Sequence, residues 1–122
     1  MDEKDVAARV LVVEDEYFLA QDITKALAAL ALAVIGPVAT TQKALNVLEE
    51  ERVDAAILDL NVGGTMDFAV ADELLKRHLP FVFATGYDDA VIPSRFADIL
   101  RFEKPWDATE LARHLLDMTR GR

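Results

Sequence analysis

Ala55-Ala56-Ile57-Leu58-Asp59-Leu60-Asn61 sets four apolar residues directly before an aspartate, and Gly63-Gly64 follows. A short apolar run closed by turn residues reads as a fully buried strand of a parallel sheet. An acid at the carboxyl end of such a strand stands where open α/β sheets bind their ligands. Three further runs end in polar residues. Glu14-Asp15 follows Val10-Leu11-Val12-Val13, Thr85 follows Phe81-Val82-Phe83-Ala84, and Lys104 follows Leu100-Arg101-Phe102-Glu103. Gathered on one rim, these ends supply three carboxylates, a hydroxyl and an ammonium. Neighbouring carboxylates repel one another and a hard divalent cation relieves the repulsion; Mg²⁺ suits one or two carboxylates with waters and a phosphate oxygen. If Lys104 neutralises a second phosphoryl oxygen and Thr85 donates a hydrogen bond, the set is suited to phosphoryl transfer. Asp59, on the central strand, is the candidate nucleophile and would form an acyl phosphate.

The elements that must position these residues alternate in a βα rhythm. The first helix is expected from about Tyr17, with Leu19, Ile23, Ala26 and Leu30 on its inner stripe. A short second strand, Ala33-Val34-Ile35-Gly36, should stop at Pro37. Thr41 can cap a second helix that carries Ala44, Leu45 and Leu48 inward. Glu49-Glu50-Glu51 lies at the unfavourable pole of that helix dipole and reads as a solvated end. The third helix is expected from about Met66 to Arg77, with Ala71, Leu74 and Leu75 buried and Pro80 as its break. Tyr87–Leu100 is weakly coded: Asp88-Asp89 can cap a turn, but Pro93 divides the segment. In the last helix Asp107 is the expected N-cap, Trp106 staples to Leu111, and Leu111, Leu115 and Met118 face inward. Phe96 is expected in the core, and His78 and His114 at the surface. A strict βα repeat implies a parallel sheet with right-handed crossovers and helices on both faces. The usual five-strand order, 2-1-3-4-5, would place Asp15 and Asp59 together at its ligand crevice.

Composition narrows the function further. The chain has 122 residues, 52% of them hydrophobic, which suits one well-packed domain spanning 1–122. Its 22 acids outnumber 13 bases for a net charge of −9, so direct nucleic-acid binding, which needs a basic face, is disfavoured. No apolar run approaches the roughly 20 residues that span a bilayer. The acidic start, Met1-Asp2-Glu3-Lys4-Asp5, has no apolar core of a secretory signal. There is no cysteine, hence neither a disulfide nor thiol catalysis. A cytoplasmic protein without membrane or nucleic-acid contacts is the expectation.

The acidic pair Glu14-Asp15, then Asp59, Thr85 and Lys104-Pro105, in this order at strand ends, resembles the response-regulator receiver domain over about residues 8–119. That resemblance implies a flavodoxin-like five-stranded α/β fold with five helices, the fourth short or irregular. It implies Mg²⁺ held by the side chains of Asp15 and Asp59 and the main-chain carbonyl of Asn61, with Glu14 acting through water. It further implies phosphoryl transfer to Asp59 from the phosphohistidine of a sensor histidine kinase or a phosphotransfer protein, and a cis peptide at Lys104-Pro105 that aims the lysine. Phe83-Ala84-Thr85-Gly86-Tyr87 resembles the FATGUY subset, typically stand-alone receivers served by atypical kinases. Such a protein modifies itself and is no enzyme on external substrates. Asn61 and Tyr87 are candidates for setting the rate of dephosphorylation. One departure stands out. Arg101 occupies the position of the family's switch aromatic, and Phe102, one residue on, points to the opposite sheet face.

Two other classes compete with a phosphoacceptor that switches protein binding or drains phosphate. One is a phosphorylation-independent interaction module, which the intact set of Glu14, Asp15, Asp59 and Lys104 argues against. The other is an aspartyl phosphatase. It would need a second acid two residues after its nucleophile, where this chain has Asn61.

Overall fold

The computed structural model describes residues 7–62, 65–66, 68–85, 92–103 and 105–120, with backbone alone at 61, 62, 65, 66 and 85. Five parallel strands form the main sheet: β1 (Arg9–Val13), β2 (Ala33–Val38), β3 (Ala55–Leu58), β6 (Phe81–Thr85) and β7 (Arg101–Glu103). Between β3 and the next helix lies an antiparallel pair, β4 (Asn61–Val62) and β5 (Thr65–Met66). The sheet order is β2-β1-β3-β6-β7, which is the expected 2-1-3-4-5 order once the small pair is set aside. Among the described residues four α-helices, α1 (Tyr17–Ala29), α2 (Thr41–Glu50), α3 (Ala69–Lys76) and α4 (Ala108–Arg120), surround it. Where a fifth helix was expected, the described residues hold one 3-10 turn, Ser94–Phe96. Pro93 immediately before it, with so little amphipathic chain behind it, leaves too few residues for more than one turn.

Strand alternation divides the core into two layers. Val10, Val12, Ile57, Val82 and Ala84 face Ile23 and Leu27 of α1 and Leu111 and Leu115 of α4. Leu11, Val13, Leu58 and Phe83 face Ala44 and Leu48 of α2 and Val70 and Leu74 of α3. The strands are apolar on both faces because helices cover both, as a parallel sheet requires.

Several local expectations shift. The buried stripe of α1 is Ala20, Ile23 and Leu27, while Leu19, Ala26 and Leu30 flank it. Ile23 and Leu27 set the helix phase, and the small Ala20 is the residue that falls in line with them one turn earlier. Thr40, one residue before the expected cap, closes α2: its hydroxyl accepts from the Lys43 N–H at 3.1 Å. Leu45 is only half-buried. Helix α3 starts three residues late because Met66 pairs with Asn61, and Thr65 with Val62, in the β4–β5 ladder; with that phase Val70 turns inward and Leu75 is exposed. Glu49 and Glu51 are paired, not merely solvated. Arg77 donates to Glu49 at 2.8 Å, to Glu73 at 2.6 Å and to the Leu48 carbonyl at 2.6 Å, joining α2 to α3. Arg9 donates to Glu51 at 2.6 Å. The Asp107 carboxylate caps α4 as expected, accepting from the N–H groups of Thr109 and Glu110 at 2.8 and 3.3 Å, and Trp106 packs against the core cluster that contains Leu111.

The second strand does not stop at Pro37. It continues to Val38, and the register slips between Leu11↔Ile35 and Val13↔Val38. Proline is tolerated here because β2 is an edge strand. Gly36 takes φ +101°, and a Cβ there would lie 2.7 Å from the Val38 nitrogen and 3.0 Å from the Val12 oxygen. The irregularity carries the Val38 carbonyl to the Glu14 N–H, which donates to it at 3.0 Å. Gly36 thereby helps to fix the acidic pair. Gly36→Ala is expected to lower the unfolding free energy by about 1–3 kcal/mol, since φ becomes unfavourable and the new methyl meets backbone; urea denaturation reads this directly.

Candidate functional site

The site starts with one backbone bond. The Asp59 N–H donates to the Val13 carbonyl at 2.9 Å, continuing the β1–β3 register of Val13↔Leu58 past the strand end. The residue after Leu58 therefore stands directly beside the residues after Val13. Glu14 is held from its other side by Val38, as described above. Its carboxylate folds back to accept from the Glu16 N–H at 3.1 Å. Glu16 is the N-cap of α1 but makes no side-chain cap of its own, so the Glu14 carboxylate takes up one of the free donors at that helix start. The positive end of the α1 dipole also faces the acids that precede it.

Glu14, Asp15 and Asp59 each offer a carboxylate oxygen within 4.8 Å of the others. Glu14 and Asp59 are buried, at 3% and 6% exposure, while Asp15 is open to solvent. Two sheltered carboxylates and one accessible one make a hard, all-oxygen donor set at the carboxyl rim of the sheet. Oxygen ligands in that number match what a divalent cation such as Mg²⁺ takes from a protein, with waters or a phosphoryl oxygen completing it. The donor set fits the ion.

Asn61 follows at the start of β4, where its backbone is described. Thr85 ends β6, beside β3 in the sheet, at the same rim. Lys104, its peptide bond to Pro105 and Tyr87 lie outside the described residues, as do Asp88 and Asp89. Arg101 pairs with Phe83 in the β6–β7 register and shares its face. It is exposed and lines a small cavity of about 210 Å³ with Pro93, Phe96 and Ile99. Phe102 is on the other face, its ring centroid 5.1 Å from that of His114 on α4. The aromatic nearest the switch position thus faces away from the layer in which Phe83 and Phe96 pack.

Sequence reasoning missed a groove beside the acids. A cavity of about 540 Å³ opens along α1, lined by Glu14, Asp15, Tyr17, Ala20, Thr24 and Pro37 among others. Tyr17 of this lining is 65% exposed, and its ring meets that of the 76% exposed Phe18 edge to face, with centroids 5.3 Å apart. The pairing of Asp15 with two exposed aromatics was visible in Asp15-Glu16-Tyr17-Phe18. The groove was not, because it forms where the small Ala20 and Ala39 leave space between distant segments.

Comparison with known proteins agrees with this geometry. Residues 10–115 match the family model for the response regulator receiver domain. The sensory transduction protein LytT of Bacillus cereus is 33% identical over 112 residues, which are 88% of this chain and 45% of that protein; the chain spans less than half the length of this relative. The solution structure of SdrG from Sphingomonas melonis Fr1 superposes with a TM-score of 0.79 at 38% identity, covering 92% of this chain and 96% of that one. The BeF3-activated conformation of SdrG from Pseudomonas melonis Fr1 gives 0.75 at 37% identity, covering 93% and 99%. With a family model spanning nearly the whole described core, and an acidic trio built where β1 and β3 end, the chain belongs to the response regulator receiver domain family.

Proposed function

We propose that this protein is a stand-alone phosphoacceptor of two-component signalling, in which Asp59 receives a phosphoryl group from the phosphohistidine of a sensor histidine kinase or phosphotransfer protein. The observation that carries the reading is the convergence of Glu14, Asp15 and Asp59 within 4.8 Å, with Asp59 buried on the middle strand of the sheet. An Asp59 oxygen forms the new P–O bond as the donor's P–N bond breaks, and the imidazole nitrogen keeps the electron pair. Glu14, Asp15, Asp59 and the Asn61 carbonyl are the groups that would hold Mg²⁺, which when bound neutralises charge on the phosphoryl oxygens. Thr85 donates a hydrogen bond and Lys104 an ammonium to the remaining oxygens. Asn61 and Tyr87 are the residues that set how readily water removes the group. The reaction is self-modification in the cytoplasm, with no external substrate.

The output has two forms, a change in protein binding or a drain on kinase phosphate. With Arg101 at the switch position and Phe102 turned toward His114, coupling runs through the segment after Thr85 and not through an aromatic of β7. Charge added at Asp59 draws Thr85 and Lys104 inward and starts that movement.

The test is intact mass after incubation with Mg²⁺ and a small acyl phosphate, wild type beside Asp59→Asn. The expected result is a gain of one phosphoryl group that requires Mg²⁺ and is lost in the variant. No gain in the wild type, or an equal gain in Asp59→Asn, contradicts the proposal.

A further inference from the structure

Two chain segments leave the acidic rim and meet again away from it. One runs from Asp59 through the β4–β5 pair to Phe68 and α3. The other leaves the end of β6, Phe83-Ala84-Thr85, and includes Ile92 and the 3-10 turn. Phe96 of that turn is buried at 2% exposure and joins the two. Its ring stacks on Phe68, with centroids 5.5 Å apart, and meets Phe83 edge to face at 5.7 Å. Outside this aromatic stack lies an ionic clasp. Arg95 donates from Nε to Asp72 Oδ1 at 2.7 Å and from Nη2 to Oδ2 at 3.0 Å, a bidentate pair. The same guanidinium lies 4.6 Å from the centroid of the Phe96 ring. The hydrogen bonds from Arg95 hold the Asp72 carboxyl below its ordinary range.

We propose that the Arg95–Asp72 clasp restrains the unphosphorylated conformation by fastening to α3 the 3-10 turn whose Phe96 packs on Phe83 of β6, so that phosphorylation works against it. This rests on the reading of Asp59 as the phosphoacceptor. Phosphorylation pulls Thr85 toward Asp59 at the end of β6, while the clasp holds the turn that packs on Phe83 of the same strand. A contact stronger in the resting conformation than in the phosphorylated one lowers affinity for whatever favours the latter. Both partners are about half exposed, 51% for Arg95 and 47% for Asp72, so the clasp biases the equilibrium and does not lock it.

The experiment measures beryllofluoride binding in the presence of Mg²⁺ by calorimetry. The proteins are wild type, Arg95→Gln, Asp72→Asn and the charge-swapped Asp72→Arg/Arg95→Asp. Each single variant should bind roughly two- to fivefold tighter, the range open to a surface bidentate pair, and the swap should return affinity toward wild type. Asp72→Asn leaves the Arg95–Phe96 contact in place and so isolates the ionic part. Far-ultraviolet circular dichroism checks that all four fold. Unchanged or weaker binding in the single variants, or a swap that behaves like them, overturns the clasp. Failure of the wild type itself to bind beryllofluoride strikes instead at the reading of Asp59.

Discussion

The hydrogen bond from the Asp59 N–H to the Val13 carbonyl is the constraint on which the site depends. It is an ordinary backbone bond, one rung beyond the paired strands, yet it sets three carboxylates side by side. Two unit charges about 4 Å apart repel by roughly 4 kcal/mol at the dielectric typical near a protein surface. That repulsion is borne by the apolar strands behind it. Val10 through Val13 and Ala55 through Leu58 are at most 3% exposed, and separating β1 from β3 would open both core layers at once. The sheet holds in place a charge arrangement that the acids alone would not adopt, and a cation then gains by relieving it.

The same logic extends outward from the rim. β2 leaves regular register at Gly36, and its Val38 carbonyl is thereby free to hold the Glu14 N–H. α1 begins immediately after the acids, with its free N–H groups and dipole turned toward them. On the other layer, the Phe68–Phe96–Phe83 stack ties together the segments that carry Asp59 and Thr85 away from the sheet. A packed aromatic cluster of this kind resists small shifts until the packing rearranges as a unit.

Much of this was legible in the residues. Apolar runs that end in Glu14-Asp15, Asp59 and Thr85 encode both strand and site, because a parallel sheet is buried on two faces and presents its carboxyl ends to ligand. What escaped depends on partners distant in sequence. The phase of α1 follows from how Ile23 and Leu27 seat on the sheet, which a stripe of leucines and alanines does not reveal. Pro37 reads as a strand end, and only the edge position of β2 lets the strand continue. The Val62-Gly63-Gly64-Thr65 string carried a hairpin signal that the stronger helical pattern after Met66 obscured. Asp72 and Arg95 lie 23 residues apart with no period linking them, and the packing of Phe68 on Phe96 alone brings them within reach.

If strand pairing assembles a cation site around Asp59, titration with Mg²⁺ in a calorimeter will show it, wild type beside Asp15→Asn, the exposed member of the trio. Saturable binding by the wild type is expected, with a loss of affinity of about tenfold or more in the variant. Absence of saturable binding, or equal affinity in the two proteins, would contradict it.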